Sequence, residues 1–150
     1  MTNVNGDSRL PDHLVALVDR ANRRVRRDIA SRIDWTGFDG LKPWHMPILS
    51  LTPDGGARPT ELARWAQVTK QALTQLICEL LASGYIELVA DPRDRRARIV
   101  RRTARPDAAL ARANAAIARL EADWSARIGA EQYQAFREVL AVLADSDAPG

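Results

Sequence analysis

Cysteine is all but missing. Cys78 is the single one in 150 residues, so no disulfide can close within the chain and no cysteine cluster can hold a metal. The two histidines, His13 and His45, stand far apart and lack carboxylate or cysteine neighbours at ligand spacing, so no metal site is expected. Aromatic residues are 5% of the chain while Ala, Leu and Arg abound, which favours helices over sheets. No stretch approaches the roughly 18 apolar residues of a membrane span. The polar segment Met1–Arg9 has no signal-peptide core, so a soluble cytoplasmic protein without a membrane partner is expected. There is no glycine-rich phosphate loop and no histidine set by a motif beside a nucleophile. No catalytic residue and no cofactor is expected, and the chain reads as a non-enzyme.

What is present is size enough for one domain, with 46% apolar residues to fill a core. The net charge of +3 is modest, but its distribution is uneven. Residues 20–32 carry six Arg and one Asp, and residues 91–105 carry seven Arg and two Asp. From 107 onward four Arg face seven acids. A polyanion met by particular segments suits this asymmetry better than one met by the whole surface. The arginines of 20–32 either flank such a partner or form the solvated face of an amphipathic helix; the second reading is preferred.

The hydrophobic period organises the rest. Leu10, Leu14, Leu17, Val18, Ala21, Val25 and Ile29 recur at helical spacing, with Pro11 near the start. After Gly37 and Gly40 a short helix is predicted over about Lys42–Leu51, and Thr52-Pro53-Asp54-Gly55-Gly56 is a turn. A third helix starts near Pro59, with Glu61 in its first turn, and a fourth runs from the cap Thr69 to Ser83 before Gly84. Tyr85–Val89 alternates as a strand does, 91–96 is a charged loop, and Ala97–Arg102 returns as a second strand. Pro106 opens a long helix with Leu110, Ile117, Leu120, Trp124 and Ile128 on one stripe. A last helix carries Tyr133, Phe136, Leu140 and Leu143. The fold class is mainly α with a small β-hairpin.

Residues 59–83 read as two short helices packed at a steep angle through Leu62, Val68, Leu73, Leu76 and Ile77, with Ala63 and Ala66 small where they approach. The second helix then offers Thr69 at its cap and Lys70, Gln71, Thr74 and Gln75 on its other face. These side chains suit base edges and phosphates in a major groove. Alone they could be a solvated helix face. The hairpin that follows, with Arg93, Arg95 and Arg96, makes a winged helix-turn-helix the better reading, because a guanidinium fits a narrow minor groove. Asp91 and Asp94 are expected to hold neighbouring arginine side chains in shape. The alternative is a winged-helix module that binds protein or RNA without gene-specific DNA contacts.

Thr60-Glu61-Leu62-Ala63, Val68-Thr69-Lys70-Gln71-Ala72-Leu73, Gly84-Tyr85-Ile86 and Asp91-Pro92-Arg93-Asp94-Arg95-Arg96-Ala97 resemble successive landmarks of the multiple-antibiotic-resistance regulator (MarR) family, closely from about 58 to 103. The chain departs from the usual pattern at Arg102 and Pro106, where relatives commonly have Leu and Gly. The resemblance implies six helices and a single domain over 1–150, with dimerisation helices 10–33 and 106–145 and a DNA-binding lobe at 42–103. It implies a homodimeric repressor on pseudo-palindromic double-stranded DNA. It also places Arg95 and Arg96 at the hairpin tip, and a small aromatic or lipophilic effector near Trp35, Trp44 and His45. From the residues alone, Trp35, Phe38, Trp44 and His45 read as ordinary core before pocket lining. Cys78 reads as a small buried residue rather than a redox switch. Apolar stripes at Leu14, Leu17, Val18, Leu110, Ile117, Trp124, Phe136 and Leu140 exceed what one small lobe can cover, which independently points to a dimer.

Overall fold

A computed structural model describes residues 13–145. Leu10 and Pro11, the expected start of the first helix, and the polar segment before them lie outside the described residues. The helices are α1 (Leu14–Arg32), α2 (Met46–Leu51), α3 (Pro59–Ala66), α4 (Lys70–Ala82), α5 (Asp107–Ile128) and α6 (Ala130–Asp145). A 3-10 turn, Pro43–His45, leads into α2, and strands β1 (Ile86–Asp91) and β2 (Asp94–Arg102) form an antiparallel pair. Six helices with one hairpin are the mainly α winged-helix class expected from the sequence.

The chain forms two compact units, one from residues up to Arg32 with those from Ala116 onward, the other Ile33–Ala115. In the second unit, Ile48 and Leu49 of α2, Leu62 of α3, and Leu73, Ile77 and Leu80 of α4 are buried with Tyr85, Ile86, Ile99 and Val100. Leu73, Ile77 and Leu80 sit at i, i+4 and i+7, one stripe of a 3.6-residue helix. Ala57 pairs with Val100 as a third short edge to the hairpin, its N–H and carbonyl both bonded, at 2.9 and 2.8 Å. Gly56 must be glycine there: φ is +85°, and a Cβ would stand 2.7 Å from the Val100 carbonyl oxygen.

Tyr85, fully buried, donates its hydroxyl to the Asp39 carbonyl at 3.0 Å, and Arg105 lies over its ring at 4.8 Å. The two family departures are absorbed locally. Arg102 reaches the Leu49 carbonyl at the end of α2 and Asp54 in the following turn, at 3.4 and 2.5 Å, while Pro106 is buried at the entry to α5.

In the first unit Arg32 pairs with Asp123 at 2.7 Å and Arg119 donates to the Arg32 carbonyl. Tyr133 and Arg137 both reach Glu121, at 3.1 and 3.5 Å. Burial and the Glu121 hydrogen bond raise the Tyr133 pKa. The expected apolar stripe of α5 is buried only in part, and alanines join it in the core. Ala109, Ala113, Ala116 and Leu120 are buried, whereas Ile117 and Ile128 are exposed. Alanines at i, i+4 and i+7 leave room for a neighbour to approach the helix axis. Of the bulky residues Leu120 stays buried, Leu110 and Trp124 are half-buried, and Ile117 and Ile128 are turned outward.

Candidate nucleic-acid interface

The α3–α4 pair begins with an ordered entry. Arg58 precedes Pro59 and donates its N–H to Glu61 Oε2 at 2.9 Å, so the first-turn acid closes on the residue before the helix. The turn between the helices passes through Gln67 at φ 52°, a left-handed residue whose N–H returns to Arg64 at 3.2 Å, and Val68 returns to Ala63 at 3.1 Å. Thr69 then caps α4, its Oγ1 accepting from Ala72 N–H at 3.1 Å.

Lys70, Gln71, Thr74 and Gln75 of α4 are all exposed. Gln71 and Gln75 lie opposite Leu73, Ile77 and Leu80 as the spacing predicts, Thr74 lies at the flank, and Lys70 is on the stripe's own side but in the open first turn. These side chains are not equally disposed. Thr74 Oγ1 donates back to the Lys70 carbonyl at 2.8 Å, and Gln75 Nε2 donates to Glu79 Oε1 at 3.1 Å. Lys70 and Gln71 make no side-chain bond among the described residues and project from the first turn, where the helix N-terminus adds partial positive charge.

Cys78 is exposed, not buried. It stands one residue past Ile77, about 100° around the helix from the core stripe, so an apolar neighbour in sequence did not make it an inward residue.

The wing also departs from expectation. Its turn is only Pro92-Arg93, and β2 starts at Asp94, three residues earlier than the sequence suggested. Register runs Ile86↔Arg102 to Ala90↔Arg98 and then jumps to Asp91↔Asp94, so 95–97 have no partners on β1. Arg95 and Arg96 therefore sit in a bulge on β2, with Arg93 alone at the tip; all three are exposed.

The reason is Asp91. Its Oδ1 accepts the Arg93 backbone N–H at 2.8 Å and closes the turn within two residues, and Asp94 Oδ1 likewise takes the Arg96 N–H at 3.1 Å. Both aspartates bond to wing backbone; of the arginine side chains expected beside them, Arg93 pairs with Asp91 at 3.9 Å, and no ion pair forms at Asp94 among the described residues.

The side chain that Asp91 does hold is Arg58, with Nε and Nη2 both 2.6 Å from Oδ2. Asp91 is 1% exposed. The Arg93 N–H first, and then Arg58, holds its carboxyl below the usual carboxylate range, and Asp91 in return raises the Arg58 pKa. Sequence reading missed Arg58; its one signal was its place three residues before Glu61 at a helix entry. It also missed Arg98, exposed on β2 beside the bulge. Three other arginines of 91–105 are engaged within the unit: Arg101 with Glu87 at 2.8 Å, Arg102 with Asp54, and Arg105 with the Ser83 carbonyl.

Of the aromatic cluster, His45 is buried and Trp44 is exposed with its ring edge-on to His45, centroids 5.9 Å apart; Trp35 is half-buried in the stretch before the 3-10 turn. His45 Nδ1 accepts the Lys42 N–H at 3.0 Å, and its Nε2 meets Glu79 Oε2 at 2.7 Å. Hydrogen bonds from His45 first, then Gln75 and Trp44, lower the Glu79 pKa. Three of the six α1 arginines are engaged on their own helix, Arg23 with Asp19, Arg24 with Asp28 and Arg26 with Asn22.

Residues 39–97 match the sequence model of the MarR family. No curated protein matches the chain by sequence. Among solved structures, the transcriptional repressor CouR bound to a 23-mer DNA duplex is 26% identical, over 89% of this chain and 93% of that one, with a TM-score of 0.72. CouR from Rhodococcus jostii bound to p-coumaroyl-CoA aligns over 93% and 96% at 18% identity and TM-score 0.72. Apo MarR from E. coli aligns over 89% and 98% at 19% identity and TM-score 0.72.

Proposed function

We propose that the chain, whose residues 39–97 match the MarR family model and whose fold is shared with solved MarR structures, is a sequence-specific transcriptional regulator of double-stranded DNA. The observation that carries the reading is the pairing, in one compact unit, of a capped α4 with an exposed Lys70-Gln71-Thr74-Gln75 face and a wing exposing Arg93, Arg95 and Arg96. Gln71 and Gln75 read base edges in the major groove, Thr69, Thr74 and Lys70 meet phosphate, and the wing arginines follow the minor groove. The protein acts as a cytoplasmic homodimeric repressor on a pseudo-palindrome, with no catalytic role. Residues 10–33 and 106–145 serve as dimerisation helices, and 42–103 as the DNA-binding lobe. Among the described residues no helix is long and apolar enough to cross a membrane.

Support for the dimer comes from α1, which buries no residue at all although Leu14, Val15, Leu17 and Val18 are apolar; Leu14 is 74% exposed. On α6, Phe136, Val139, Leu140 and Leu143 are exposed as well. Wet apolar surface costs about 25 cal/mol per Å2, so a second copy covering these faces is the favourable arrangement. A small aromatic or lipophilic effector binds at the exposed Trp44, in the stretch that also holds Trp35 and the buried His45, in keeping with the p-coumaroyl-CoA bound by the CouR neighbour.

The test is a mobility shift on duplex DNA across a salt series, with single-stranded RNA as competitor. Salt-sensitive duplex binding that survives RNA is expected; binding lost to RNA, or no duplex binding at low salt, rejects the reading.

A further inference from the structure

Glu79 stands between the 3-10 turn and the outer face of α4, and each of its two carboxylate oxygens has its own donor. Oε2 takes the ring of His45 at 2.7 Å, and Oε1 takes the amide nitrogen of Gln75 at 3.1 Å. Gln75 and Glu79 are one helical turn apart, so their side chains meet on one face. His45 comes from 34 residues away in sequence.

The His45 end is rigid. The ring is 1% exposed, and Nδ1 is already the acceptor for the Lys42 N–H at 3.0 Å. The proton of a neutral ring must then be on Nε2, where it points at Glu79. The carboxylate is thereby held at one oxygen by a buried group, while the other faces the recognition side chains.

That anchoring has a consequence for Gln75. A solvated glutamine amide flips freely between offering its oxygen and offering its nitrogen. Beside a fixed carboxylate the two orientations are not equivalent. One makes an N–H to O⁻ hydrogen bond, and the other sets the amide oxygen against the carboxylate oxygen. The amide nitrogen stays on Glu79 and the carbonyl oxygen is turned outward.

We propose that Glu79, anchored by His45, is a positioning residue that orients Gln75 so that it presents an acceptor to the major groove and prefers a base whose edge there offers an amino group. This rests on the reading of Gln75 as a base contact. The amino-bearing edges are adenine N6 and cytosine N4, whereas guanine O6 and thymine O4 offer acceptors and are disfavoured. Glu79 touches no DNA in this role, and its effect passes through Gln75.

The experiment selects a tight-binding duplex from a randomised library with the full-length parent. Binding is then measured across every single base-pair change of that duplex, for the parent and for Gln75→Ala, Glu79→Ala, Glu79→Gln and His45→Ala. In the parent, the base pair whose preference Gln75→Ala removes should favour an amino-bearing base by at least about fivefold. Glu79→Ala should reduce that preference to within about twofold while leaving the Gln71-dependent pair as in the parent, and combining it with Gln75→Ala should add nothing further. His45→Ala should weaken the same preference only. Should Glu79→Ala not fold, Glu79→Gln keeps the shape and removes the charge that selects the amide orientation, and the same collapse is expected. If Gln75→Ala alters one base pair but neither Glu79 variant does, the proposal is overturned and the base-contact reading stands. If Gln75→Ala alters none, both fall together.

Discussion

Arg58 grips Asp91 through Nε and Nη2, each 2.6 Å from the same carboxylate oxygen, and so ties the residue that opens α3 to the base of the wing turn across 33 residues of sequence. With Asp91 fully buried and its other oxygen on the Arg93 N–H, one carboxylate both sets the turn and joins it to the helix-turn-helix. Removing Arg58 leaves a buried carboxylate short of a partner, so Arg58→Ala should lower stability and weaken DNA binding together. Adding Asp91→Ala should cost less than the sum of the two single changes, because the two residues act as a pair. Denaturant midpoints and duplex binding of the four proteins in this cycle check it; full additivity would show that the pair is not coupled.

The same carboxylate sets a pH dependence. Its folded pKa lies below the ordinary value, lowered by the Arg93 N–H first and by Arg58 next. A depressed carboxylate contributes stability that is complete above the unfolded pKa, about 4, and is lost as pH falls through the lower folded value. Asp91→Asn should therefore be less stable than the parent at neutral pH, and the difference should shrink below about pH 4. Urea melts from neutral to acid pH measure this, and a difference that stays constant would rule the linkage out.

Thr69 has two tasks that can be separated. Its hydroxyl oxygen accepts the Ala72 N–H as a helix cap, and its own O–H remains to donate outward to a phosphate. Thr69→Ala should cost about 1 kcal/mol of stability and also weaken binding on all duplexes. Thr69→Ser, which keeps the hydroxyl, should restore most of both. Stability recovered by Ser without recovered binding would confine Thr69 to the cap.

On the wing, Arg95 and Arg96 are successive exposed residues of the bulge, and Asp94 holds the backbone N–H of Arg96. Arg95 is the side chain expected to enter the minor groove, with Arg96 steadied beside it. Arg95→Ala should lose at least tenfold in affinity, about 1.4 kcal/mol, most on A·T-rich flanks, with the half-site preference retained. Titrations on duplexes differing only in their flanks would show it; parent-like affinity at physiological salt would remove the wing from the interface.

The exposed apolar faces of α1 and α6 make the remaining expectation. The chain should be a dimer at micromolar concentration, and Leu14→Glu with Leu143→Glu should shift it toward monomer and reduce operator affinity more than affinity for a single half-site. Light scattering that finds the parent monomeric would sink the dimer.

The sequence by itself determined the order of elements and the exposed face of α4. Both are local: a 3.6-residue apolar period, a threonine cap, a glycine stop and a period-two strand are each written within a few neighbouring residues. Leu73, Ile77 and Leu80 point inward for the reason that their spacing says they must, which leaves Gln71 and Gln75 on the other face, Thr74 at its flank, and Lys70 in solvent because it stands in the first turn. Tertiary structure decided the pairings that give those residues their chemistry. Arg58 on Asp91 and His45 on Glu79 link positions 33 and 34 residues apart, and nothing near either residue names its partner. The three-residue jump in the wing register arose because one buried aspartate closed the turn early. Cys78 was misplaced because a step of one residue turns a helix by about 100°, enough to carry a side chain from the core stripe into solvent.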